Sequence, residues 1–110
     1  MRRVLLIDRS GEDAQGLKTA MLRRGFDVRI EDQRWRATQV LRQPLPACEF
    51  VVIVAGSIPE NDVALLQELI AATQQLHQSD NPEFLFIACG RHPPTLRLRI
   101  GELGARYVRL

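Results

Sequence analysis

The stretch Glu49 to Pro59, EFVVIVAGSIP, constrains this chain more than any other. Phe50 to Val54 is an unbroken apolar run, mostly β-branched, with no polar alternation. That is the pattern of a central strand covered on both faces, as in a parallel sheet sandwiched between helices. In open α/β sheets, ligands and chemistry gather beyond the carboxyl ends of the strands. Here the run stops at Ala55-Gly56-Ser57, which offers no acid, base or nucleophile stronger than a hydroxyl. The place where chemistry is expected is chemically blank.

The flanking sequence supplies the strands and helices such a sheet needs. Arg3 to Ile7 is a short apolar strand that ends in the polar turn Asp8-Arg9-Ser10-Gly11. Ser10 reads as a helix N-cap, with Glu12 and Asp13 at the positive end of the helix dipole. Ala14, Leu17 and Met21 form a helical stripe, and Gly25 is the natural stop after it. Phe26 to Glu31 alternates apolar and polar, as expected near a sheet edge. Trp35, Ala37, Val40 and Leu41 allow two or three helical turns before Pro44 and Pro46.

After the central strand, Ser57 and Pro59 open a long helix ending near His77. Its two adjacent stripes, Val63/Leu66/Ile70/Thr73 and Leu65/Leu69/Ala72/Leu76, predict one wide core-facing surface. Phe84 to Ala88 is another buried strand, closed by Cys89-Gly90-Arg91. Pro94 to Gly104 reads as a short helix, although Leu96 to Ile100 also alternates like a strand; parallel crossovers need a helix here. Arg106 to Leu110 is the last strand. The expectation is five strands and four helices in alternation.

At 110 residues the chain is expected to be one domain, able to bury a core without disulfides. Cys48 and Cys89 lie far apart, without the clustered Cys/His spacing of a zinc site, so no metal or cofactor is expected. No apolar run approaches the roughly 18 residues that span a bilayer, and no h-region of signal-peptide length follows Met1-Arg2-Arg3. The expected compartment is the cytoplasm. A net charge of +2 does not by itself argue for nucleic acid. Its distribution is uneven, since Arg91 to Leu110 carries five arginines against the single acid Glu102. A basic C-terminal surface is expected, either a solvated face or one facing an acidic partner or a nucleic-acid backbone.

Four pieces in order and at suitable spacing then carry a family likeness: VLLID (Val4 to Asp8), Arg24-Gly25-Phe26, VVIVAGSIPENDV (Val51 to Val63) and GARYV (Gly104 to Val108). Together they resemble the receiver domain of bacterial response regulators over essentially the whole chain. The resemblance implies a flavodoxin-like, CheY-like doubly wound α/β fold: a five-stranded parallel sheet in the order 2-1-3-4-5, here with the last helix missing. It also implies a chemistry that this sequence has lost. A phosphorylatable receiver would carry two adjacent acids after strand one, an aspartate ending strand three, a hydroxyl after strand four and a lysine after strand five. The corresponding positions here are Asp8-Arg9, Ala55 and Cys89, and the given sequence ends before any lysine. Ala55 has no oxygen to take a phosphoryl group, and Ser57 is the nearest hydroxyl.

The reading is therefore an aspartate-less pseudo-receiver, a non-enzymatic module working by protein interaction or dimerisation. By resemblance it would regulate an attached output domain in transcription or two-component signalling, as the N-terminal part of a longer regulator. Arg97, Arg99, Arg106 and Tyr107 are the candidate contact residues, by analogy with how receivers dimerise. Arg9 either pairs with Asp8 in the degenerate pocket or points into water. Two other readings remain: a small flavodoxin-like thiol enzyme using Cys89, and a nucleic-acid contact through the basic C-terminal region. His77 and His92 are simplest as surface residues, and Trp35 as a contact or core edge.

Overall fold

In the computed structural model the residues described are 2–8, 14–31, 49–56, 59–76, 82–88 and 93–109. They form, in chain order, β1 (Arg3–Asp8), α1 (Ala14–Arg23), β2 (Asp27–Glu31), β3 (Phe50–Val54), α2 (Pro59–Leu76), β4 (Glu83–Ala88), α3 (Pro94–Glu102) and β5 (Arg106–Arg109). The strands make one sheet in the order β2-β1-β3-β4-β5, with every neighbouring pair parallel. This is the doubly wound order expected from the sequence. Phe50 to Val54 is indeed the middle strand, and Val51 to Val54 are at most 1% exposed.

Strand pleating sends alternate side chains to two separate cores. On one face Leu5, Ile7, Val51, Ile53 and Phe86 pack against Val63, Leu66 and Leu69 of α2 and against Leu96 and Ile100 of α3. Both apolar stripes of α2 turn inward: Val63, Leu66 and Thr73 of one and Leu65, Leu69 and Ala72 of the other are buried. On the other face Val4, Leu6, Val52, Val54 and Ile87 form a smaller core, with Leu17 and Met21 of α1 packed on it. Among the described residues α1 is the only helix contributing to that second core. Beside it lies an apolar cleft of about 160 Å³ lined by Val4, Met21, Phe26, Phe50, Val52 and Leu85. The Phe26 and Phe50 rings meet edge to face there, 6.0 Å apart.

Two helix ends are set by glycine. Gly25 and Gly104 have φ of +86° and +84°, the left-handed region in which a Cβ is costly. Around Gly25 the Gly25 N–H donates to the Leu22 carbonyl and the Phe26 N–H to that of Met21, ending α1 and aiming the chain into β2. The Gly104 and Ala105 amides bond back to Gly101 and Ile100 in the same way, ending α3. The ambiguous segment after Pro94 is thus a helix, with Leu96 and Ile100 buried one turn apart. The helix expected around Trp35 to Leu41, the Ser10 and Ser57 caps, His77, His92 and Leu110 lie outside the described residues.

Two substitutions test this account by urea denaturation. Phe86→Ala, at a fully buried ring, is expected to cost about 3–5 kcal/mol of stability. Gly104→Ala meets no atom within 4 Å. Its loss, about 1–2 kcal/mol, should come from backbone conformation alone.

Candidate functional site

The carboxyl ends of β1, β3 and β4 meet at one edge of the sheet. Asp8 stands level with Val54, which stands level with Ile87. Asp8 is half-buried. Ala55 continues β3 by one residue: its N–H donates to the Ile87 carbonyl at 2.8 Å, and the residue is 4% exposed. Its methyl belongs to the larger core, with Ala88 of β4, itself fully buried. The end of β3 is therefore packed with methyl groups rather than opened to solvent by a polar side chain. Arg9, Ser57 and Cys89, the other residues expected at this pocket, lie outside the described residues.

One residue of this edge was not singled out by sequence reasoning for the part it plays. Asp62, 2% exposed, accepts a hydrogen bond from the Gly56 N–H at 2.8 Å. It sits in the first turn of α2, so its carboxylate ties Gly56, just past β3, to that helix. The signal was available. Asp62, Leu66, Leu69 and Thr73 fall at i, i+4, i+7 and i+11, so an acid stands at the head of the buried stripe. A buried carboxylate requires donors, and the nearest backbone amides leaving β3 supply one. Thr73, the other buried polar residue on that stripe, satisfies itself by donating to the Leu69 carbonyl.

The four candidate contact residues do not form one continuous patch. Arg97 and Arg99 are exposed on α3, either side of Leu98, which is 67% exposed. Tyr107 is half-buried and packs against the larger core, on the α3 side of the sheet. Arg106 shares the opposite face with Val108 and pairs with Glu83 at 2.8 Å. That pair is largely in solvent and adds little to stability. Among the described residues no group of three or more His, Cys, Asp or Glu side chains is placed to hold a metal ion. None of the described helices is long and apolar enough to cross a membrane.

No family model and no curated protein sequence matches this chain. Solved structures do. A response regulator protein from Burkholderia pseudomallei, with a phosphorylated aspartic acid, a calcium ion and citrate, superposes with a TM-score of 0.74 at 18% identity. That alignment covers 99% of this chain and 59% of the other, so the chain spans less than two thirds of that regulator's length. The non-phosphorylated HemR receiver domain from Leptospira biflexa gives 0.69 at 21% identity, covering 99% of this chain and 82% of that one. A protein assigned to pilus assembly, cpaE from Burkholderia thailandensis, gives 0.68 at 18% identity over 99% of this chain and 85% of that one. At these identities the likeness defines the fold, which is that of the response-regulator receiver domain.

The Asp62 clamp makes a separable prediction. Asp62→Ala leaves the Gly56 amide without its acceptor and should cost about 1–3 kcal/mol. Asp62→Asn keeps an acceptor oxygen and should cost less. Urea melts combined with hydrogen exchange at the Gly56 amide would check both, and equal losses in the two variants would refute the clamp.

Proposed function

We propose that this chain is a receiver-fold signalling module that accepts no phosphate and acts by binding protein, for an attached output domain in transcription or two-component signalling. It is non-enzymatic and works in the cytoplasm. Ala55 is the observation that carries this reading. The residue ending the central strand, where the receiver resemblance asks for an acceptor aspartate, has only a methyl group. That methyl is buried in the core rather than presented to a phosphodonor.

The residues present do not fit the divalent cation that receiver chemistry uses. Such an ion wants several oxygen ligands held close together. Asp8 is the one carboxylate in the resembling positions, its sequence neighbour is the cation Arg9, and Ala55 contributes no side-chain oxygen. No step of this proposal runs through a metal or a phosphoryl group. The signal is instead a binding event, read through exposed side chains of α3 and the neighbouring β5.

Intact-mass measurement after incubation with acetyl phosphate and Mg²⁺ tests the proposal. The expected spectrum is that of the unmodified chain at every donor concentration. A stoichiometric phosphoryl adduct, stable to desalting, would sink the reading. Ala55→Asp alone is also expected to remain unmodified, since it supplies an acceptor without the second acid. Its buried carboxylate should instead destabilise the fold, by about 1–3 kcal/mol or more.

A further inference from the structure

The surface that Arg97 and Arg99 occupy also suggests what covers it. On α3, Leu96 and Ile100 face the core while Leu98 crests the outer surface, with one arginine on each side. Leu98 is the more exposed of the two large apolar side chains that stand out in solvent among the described residues. Arginine is enriched at protein interfaces, and an apolar side chain between two guanidinium groups gives such a surface a contact that excludes water. A nucleic-acid backbone would use the arginines and leave the leucine without a contact.

The complementary surface lies next door on the same molecule. Helix α2 carries the exposed acids Glu60 and Glu68, besides the buried Asp62, and no basic residue. Its exposed ridge has Ala64 at the crest, with Glu60 one turn before and Glu68 one turn after. Ala64 is the sixth residue of α2 and Leu98 the fifth of α3, so the two stand at similar depth from the same end of the sheet. Both helices cover the same sheet face and, joining successive parallel strands, run in the same direction.

We infer that the occupant is a second copy of this chain, packed about a two-fold axis parallel to α2 and α3. That axis lays α3 of each copy on α2 of the other. Leu98 seats over Ala64, whose small side chain allows close approach, while Arg97 and Arg99 face Glu60 and Glu68. Each contact occurs twice, as an isologous interface requires. The inference rests on the interaction-module reading above and specifies the partner for its α3 surface.

Light scattering and sedimentation velocity across concentration, on the whole 110-residue chain, test it. The expected result is a monomer–dimer equilibrium that weakens with salt. Leu98→Glu, and Arg97→Glu with Arg99→Glu, should each weaken the dimer by about tenfold or more. Adding Glu60→Arg to the double arginine variant should recover part of that loss. Leu22→Glu, on the exposed side of α1, should leave association unchanged, and far-UV circular dichroism confirms that each variant is folded. A chain that stays monomeric throughout, or a dimer that tolerates Leu98→Glu or dissociates equally with Leu22→Glu, overturns the inference. So does salt-sensitive binding of a DNA duplex lost in the arginine variant without any self-association. The mass measurement described above separates the two levels. A monomer that takes no phosphate removes only this dimer, whereas a phosphorylated chain removes the module reading itself.

Discussion

A strand with no polar side chain must have its backbone paired on both edges and its side chains covered on both faces. β3 meets both conditions, and most of the molecule follows from them. Its neighbours β1 and β4 satisfy its amides and carbonyls, and parallel pairing forces each return of the chain through a crossover. Those crossovers supply α2 and α3 on one face. The opposite face receives α1, which packs beside an apolar cleft rather than over the whole sheet. Among the described residues the two cores are accordingly unequal, the larger drawing on two helices and the smaller on one.

The same constraint shapes the carboxyl edge of the sheet. A side chain just past the end of a doubly covered strand either reaches solvent and does chemistry or turns back into the core. Ala55 turns back, and Ala88 of the adjacent strand is buried with it. Behind them Asp62 accepts from the Gly56 amide, a part-buried hydrogen bond that links the residue just past β3 to the first turn of α2. A carboxylate serves structure here. Its contribution is to satisfy a backbone amide just past the end of the central strand.

Much of this was legible in the sequence. The strands were found because period-two and unbroken apolar runs are local signals, whereas the strand order came from the receiver resemblance, since the runs themselves do not say which strands are neighbours. Gly25 was readable as a stop since only glycine takes positive φ without strain. The segment after Pro94 was harder: Leu96 to Ile100 satisfies both periods, and topology decided in favour of a helix. Asp62 was visible as part of a motif but not as a clamp, because its partner is a backbone amide, which no side-chain pattern reveals. The split of the candidate contact residues between two faces was hidden for a related reason. Tyr107 and Arg106 are adjacent in sequence, and the pleat sends them to opposite sides of the sheet.

The blank pocket and the cresting leucine bear on each other. In a receiver that takes phosphate, new charge in the pocket supplies the free energy that moves the surface. In the module proposed above that source is gone, and any shift between its conformations must come from a ligand with different affinities for the two. A binding surface is then both the input and the output of the module. If α3 pairs with α2 of another copy, association itself becomes the variable that concentration or a competing partner controls. Such a module needs no pocket chemistry to carry information, only an interface weak enough to be exchanged. An anchor of one leucine and two solvent-exposed arginines is suited to an interface of that strength.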